Sequence, residues 1–163
     1  IQSARANYLC TIADYDNAMV TLIAGVASTY VNIRTLEERV RGANTNVATQ
    51  TEGLRIASAQ FKAGETSERD VQQATTRLAQ TEAQIPLLNA SLAQNKNGLA
   101  VLLGETPEEI GRHLTEPGNI PAAPAKVAAG IPKDLLRRRP DVRAAGLQAS
   151  SYSSLIGVAK AQM

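Results

Sequence analysis

Three groups of side chains in this 163-residue chain could do chemistry. His113 is the only histidine. An imidazole can hold a metal or move a proton near neutral pH, but no cysteine or carboxylate cluster stands at ligand spacing around it. No nucleophile or second acid–base group accompanies it either. Cys10 is the only cysteine, so an internal disulfide is excluded. It follows Asn7-Tyr8-Leu9 inside a helical pattern with no small-residue cleavage motif before it, so it is no lipoprotein acylation site and reads as a small half-buried residue. The third group, Arg137-Arg138-Arg139, could bind anionic lipid or nucleic acid. Without interleaved aromatics, three charges are better explained by pairing with Asp134, Asp141 or a neighbouring carboxylate, which fixes a helix start. The remaining Asp and Glu residues are scattered as solvated faces. The sequence therefore points to no enzyme, no cofactor and no metal.

The composition agrees with a non-catalytic role. A net charge of +2 gives no field that would gather nucleic acid. Aromatics make up only 3%, with one Phe and no Trp, and Ala, Ser, Thr, Gln and Asn take their place. Such fillers suit helices packed side by side along a narrow, partly wet interface. There is no initiator Met and no signal peptide. The most apolar stretch, residues 18–33, is interrupted by Thr21, Ser28, Thr29 and Asn32 and reads as too short and too polar for a membrane span. Ile1 lacks a cap and Met163 closes a helical pattern without a stop, so the expectation is an internal fragment of a longer protein.

The elements that would carry these residues follow from a seven-residue repeat. Apolar positions step as Ile12, Met19, Val26, Ile33, Val40, Val47, Leu54 and Phe61, interleaved with Tyr15, Leu22, Thr29, Leu36, Ala43, Gln50 and Ala57. Beyond Gly64 the pattern resumes as Val71, Leu78, Ile85, Leu92 and Leu99, interleaved with Ala74, Thr81, Leu88, Asn95 and Leu102. A strict heptad keeps one seam on a partner only if the helices supercoil left-handed. The fold class is all-α: a long antiparallel coiled-coil hairpin, then a Pro/Gly-rich connection, then the start of a third long helix.

The first helix is predicted over residues 3–62, roughly 90 Å at ~1.5 Å per residue. Gly64 is placed to stop it in a left-handed conformation. Ser67 and Asp70 have the spacing of a capping box for a second helix ending at Gly104, with Glu68 favourable to the dipole at that end. Pro86 should kink this helix near Glu82. Gly25, Gly42 and Gly53 lie off the stripe, and close packing against another helix would account for some of them. Thr106-Pro107-Glu108-Glu109 starts a short helix, and residues 116–131 should be irregular. A last helix begins near Asp134, is interrupted or restarted at Pro140, and carries Val142, Ala145, Ala149, Tyr152, Ile156, Ala159 and Met163 as its apolar set. The domains are thus 1–104, 105–132 and 133–163. About thirty residues of the first helix overshoot the second, and either missing segments or other protomers must cover that seam.

Two stretches resemble a known family. Pro132-Lys133-Asp134-Leu135-Leu136-Arg137-Arg138-Arg139-Pro140-Asp141-Val142-Arg143-Ala144-Ala145, followed by Ile156-Gly157-Val158-Ala159-Lys160-Ala161, resembles the opening of the second structural repeat of TolC-like outer-membrane efflux proteins, in particular the NodT/OprM-type branch. Phe61-Lys62-Ala63-Gly64-Glu65-Thr66-Ser67-Glu68-Arg69-Asp70-Val71-Gln72-Gln73-Ala74 resembles the turn between the long periplasmic helices of the first repeat. Leu99 to Gly104 with Pro107 resembles the end of that hairpin. Arg69, Gly146 and the serines at 150, 151, 153 and 154 differ from the usual family pattern.

The resemblance implies a homotrimer whose protomers give strands to an outer-membrane β-barrel and helices to a periplasmic α-barrel, a passive exit duct in a tripartite efflux pump. The strands would be absent here. The chain would be the first-repeat hairpin, the equatorial connection and the truncated first helix of the second repeat. A periplasmic adaptor protein would join the duct to an inner-membrane pump, docking on the hairpin tip at Gly64, Thr66, Ser67, Arg69 and Asp70. Arg137, Arg138, Arg139, Pro140, Asp141 and Val142 would be the family's structural signature. Two alternatives remain open: the hairpin of the periplasmic adaptor (membrane fusion) protein, whose flanks should be β-rich, and a generic structural coiled coil, which does not account for the Arg-Pro-Asp segment.

Overall fold

The computed structural model describes residues 1–114, 118–122 and 136–162. Four helices carry this description: α1 (Gln2–Lys62), α2 (Glu68–Leu103), α3 (Pro107–His113) and α4 (Pro140–Ala161). No strand occurs among the described residues. The expected helix start near Asp134 and most of the irregular stretch 116–131 lie outside them. The chain forms two compact units, Val26–Pro121 on the one hand and Ile1–Gly25 with Ala122–Met163 on the other.

In the first unit the heptad pattern holds. Ile33, Leu36, Val40, Ala43, Val47, Gln50, Leu54 and Ala57 of α1 are all buried or half-buried, as are Val71, Ala74, Leu78, Thr81, Ile85, Leu88, Leu92, Asn95, Leu99 and Leu102 of α2. The two helices run antiparallel. Ile33 packs in one cluster with Leu99 and Ala100, and Glu37 meets Lys96 across the pair at 3.5 Å. The best-packed part is the root, where α3 adds Ile110 and is followed by Leu114. Ile33 and Ile110 are 0% and 1% exposed, each burial being worth about 1.5–3 kcal/mol. Further out, polar residues enter the apolar seam. This register sets Gln50 level with Thr81, whose hydroxyl proton goes back to the Arg77 carbonyl at 3.1 Å. Gln50 Oε1 is buried without a hydrogen-bond partner among the described residues.

Local chemistry sets the helix limits. Gly104, at φ +69°, ends α2. The Glu105 amide reaches the Ala100 carbonyl at 3.0 Å and the Gly104 amide reaches that of Val101 at 3.3 Å, the paired bonds of a Schellman stop. Thr106 then caps α3, with its amide and its hydroxyl each donating to Glu109 Oε2 at 2.9 Å and Pro107 in the first turn. α2 continues through Pro86, which has no amide to give to the Glu82 carbonyl.

The second unit departs from the sequence expectation. The start of α1 has a partner in this chain after all: α4 packs antiparallel to it. Ser3 Oγ lies 3.0 Å from Ser151 Oγ, the Cys10 thiol points at the Ala144 carbonyl at 3.5 Å, and Arg143 meets Asp16 at 3.5 Å. The contact uses small residues. Ala6, Ala13, Ala144 and Ser151 are buried, and Cys10, Leu147 and Ser154 are half-buried. Both expected apolar seams point elsewhere: Ile12, Tyr15, Met19 and Leu22 of α1 and Val142, Tyr152 and Ile156 of α4 are exposed. The physical reason is helix approach. Ala and Ser faces let two backbones come close, and a face of Tyr, Met and Ile one residue out of register cannot join the same contact. Gly42 and Gly53 have nothing within 4 Å of the place a Cβ would occupy, so no neighbour among the described residues explains them. By length and mean hydropathy alone α1 contains a stretch comparable to a membrane span, interrupted by Thr21, Ser28, Thr29 and Asn32.

Candidate functional site

The free end of the hairpin is built from backbone chemistry. α1 stops at Lys62. Ala63 still donates to the Ala59 carbonyl at 3.0 Å, Gly64 turns back to Phe61 at 3.0 Å, and the Glu65 amide closes on Gln60 at 2.9 Å. Gly64 takes φ +77°, a conformation that carries little steric cost only for glycine. Three residues later Ser67 caps α2 in an extended conformation. Its amide donates to Asp70 Oδ2 at 3.2 Å and its hydroxyl to the same oxygen at 2.8 Å. These two bonds, the hydroxyl's first, hold the Asp70 carboxyl below the usual aspartate range.

The tip is therefore rigid and wet at once. Gly64, Ser67, Arg69 and Asp70 are exposed and Thr66 is half-buried. Nothing lies within 4 Å of a Cβ at Gly64. The five tip residues named from the sequence thus stand together on one turn with their polar atoms in solvent. Such a surface can offer shape and hydrogen bonds to a partner, and it holds no acid–base pair for chemistry.

The arginine run is arranged as a helix start. Residues 136–138 form a helical turn, Arg139 breaks it at φ −64° and ψ 125°, and Pro140 opens α4. Arg139 grips Asp141 with two bonds, 3.1 Å from Nε and 2.6 Å from Nη2. Asp141 also accepts the Val142 amide at 2.9 Å. The guanidinium bonds are the main reason that its carboxyl stays below the usual range. Arg137 instead borders an open groove of about 410 Å³ with Leu9, Val142 and Leu147. So Arg139, Pro140 and Asp141 form one local group at the start of α4, and Arg137, Arg138 and Arg139 are all exposed.

His113 is exposed, 3.6 Å from Glu105, and no cluster able to hold a metal ion occurs among the described residues. At Cys10, burial first and then Asp14 push the thiol pKa up, which keeps it protonated and unreactive at neutral pH.

Sequence reasoning passed over one group. Arg34 is only 5% exposed, and its Nε donates to the Tyr30 hydroxyl at 3.1 Å. Its Nη1 donates to Glu37 at 2.9 Å. The spacing of Tyr30, Arg34 and Glu37 at four and three residues was visible as a helical neighbourhood. Its burial was not, because that depends on residues far along the chain.

The site and fold define a class: an all-α segment whose long antiparallel hairpin ends in an exposed, doubly capped turn. Residues 1–105 match the family described as outer membrane efflux protein, and the chain belongs to that family. It is 31% identical to nodulation protein T of Rhizobium leguminosarum bv. trifolii over 99% of this chain and 35% of that protein. It is 35% identical to the solvent efflux pump outer membrane protein SrpC of Pseudomonas putida over 97% of this chain and 33% of that protein. The solved outer-membrane channel OprN superposes with a TM-score of 0.93 at 35% identity, over 98% of this chain and 36% of that one. The chain thus spans about a third of the length of its relatives. Membership in this family does not favour the adaptor-hairpin and generic coiled-coil alternatives.

Proposed function

We propose that this chain is the periplasmic helical segment of an outer-membrane exit duct, the channel component of a tripartite efflux pump in a Gram-negative envelope. The protein acts as a passive conduit without covalent chemistry. The observation that carries the reading is the family match over the whole hairpin, joined to the near-superposition on an outer-membrane channel. The duct is a homotrimer anchored by a β-barrel formed from other parts of the polypeptide, and an inner-membrane pump drives it through a periplasmic adaptor. The exposed apolar residues of α1 and α4, among them Tyr15, Ile23, Tyr152 and Ile156, support burial by further helices of such an assembly.

In this reading the tip from Gly64 to Asp70 docks the adaptor. Short side chains around Gly64 let another helix end approach, and Ser67, Arg69 and Asp70 fix its register through polar contacts. The signature from Arg137 to Val142 acts structurally, as the cap of α4. The test uses the full-length protein carrying Gly64→Val or Asp70→Arg, with outer-membrane trimer abundance and susceptibility to exported compounds measured together. The expected outcome is normal trimer abundance with lost resistance. Undiminished resistance in both variants would reduce the tip to a capping motif.

A further inference from the structure

The buried charge at the hairpin root plays no part in the reading above. Arg34 is held from several sides. Its guanidinium carbon lies 5.1 Å from the centre of the Tyr30 ring, Nε donates to the Tyr30 hydroxyl at 3.1 Å, and Nη1 donates to Glu37 at 2.9 Å. Glu37 is also 3.5 Å from Lys96 of α2, so the group bridges both helices of the hairpin. Beside it stand Ile33, Leu99 and Ile110, the core of that unit. A charge in such a place is kept only when its bonds are made, and letting go of one partner strands the other.

Gly118 lies directly on this guanidinium. A Cβ at Gly118 would stand 2.6 Å from the guanidinium carbon, 2.6 Å from Nε and 2.9 Å from Nη2. An arginine end can usually swing aside, but here swinging would break the bonds to Tyr30 and Glu37 out of reach of bulk water. Glycine is not needed at 118 for its dihedral freedom, since the glycines with positive φ among the described residues are Gly64 and Gly104. It is needed for room.

We infer that Arg34 is a positioning residue that seats the chain at Gly118 on the root of the hairpin, with Gly118 as the notch cut to receive it. The pair fixes where the chain runs after α3, a role independent of what the whole protein exports. Lysine cannot replace arginine here, because an ammonium lacks the planar fork that reaches Tyr30 and Glu37 together.

The test is the mobility of a nitroxide label in the intact, detergent-purified protein, read by EPR at Asn119→Cys, an exposed position beside Gly118, in a background without other reactive cysteines, with a label at Arg69→Cys on the tip as control. Arg34→Met is expected to raise mobility at 119 by about twofold or more and leave the tip unchanged. Gly118→Val should do the same in the presence of Arg34 and add little once Arg34 is replaced by Met. Mobility at 119 unaltered in both single variants, or a double variant whose effect is the product of the two singles, overturns the inference. Should Arg34→Met fail to accumulate, Gly118→Ala is compared in the Arg34 and Arg34→Lys proteins. A smaller effect beside lysine supports the notch, and an equal effect overturns it.

Discussion

Asp70 and Glu109 perform the same task thirty-nine positions apart. Each is a carboxylate at the third position of a helix, bonded to the amide and hydroxyl of the cap residue before it. In Glu109 the Thr106 amide, and after it the Thr106 hydroxyl, holds the carboxyl below its ordinary range; in Asp70 the Ser67 hydroxyl leads. A depressed folded value has a definite sign. The stabilisation is complete above the ordinary carboxylate range of about pH 4 and is lost as pH falls through the lower, folded value. The N-terminal turns of α2 and α3 should therefore fray together in acid while the Ile33–Leu99 core stays closed. Amide exchange at pH 6 and pH 3, corrected for intrinsic rates, checks this. Asp70→Asn should remove the acid response at the tip alone.

At the scale of the element, α2 begins and ends with related words in the sequence. Gly64-Glu65-Thr66 precedes it and Gly104-Glu105-Thr106 follows it, and each glycine turns left-handed while the next amide closes a backward bond. A side chain at Gly104 would meet nothing within 4 Å, and neither would one at Gly98 inside the helix. The two glycines should therefore respond oppositely to alanine. Gly104→Ala is expected to destabilise by about 1–2 kcal/mol through its left-handed backbone, and Gly98→Ala to stabilise by roughly 0.5–1 kcal/mol through helix propensity and a stiffer unfolded chain. Thermal unfolding of both variants gives the signs directly. These features were legible because they are local: a stop glycine, a cap residue and its carboxylate lie within a few positions of one another. The seam from Val26 to Leu102 was legible for a related reason, since one face of each helix is both apolar and spaced by seven. The start of α1 was not. Its Ile12–Met19 face outshone the Ala6–Ala13 face in hydrophobicity, and only the second fits against Ala144 and Ser151. Arg34 was hidden likewise, because nothing near it in sequence announces Gly118.

For the whole molecule, the outward apolar faces matter most. Ile12 and Met19 remain about two-fifths exposed, at 40% and 39%, and Tyr15 at 66%. The isolated chain should self-associate at ordinary protein concentrations, because sequestering several such side chains outweighs the loss of freedom on pairing. Sedimentation equilibrium should show species larger than a monomer, and Ile12→Ser with Met19→Ser should shift them toward one. The alanine contact that leaves these faces open also bears on time. α1 and α2 meet across a turn of a few residues, whereas Ser3 and Ser151 are separated by 148 positions. Closing so long a loop is slow to be rewarded when the contact at its end consists mainly of small side chains, a hydroxyl pair and one exposed ion pair. The hairpin is therefore expected to form before α4 docks on the start of α1. In that interval Ala144 and Ser151 stand open as well as Tyr152 and Ile156, which docking leaves exposed, so ordered assembly is expected to depend on a late and lightly held step.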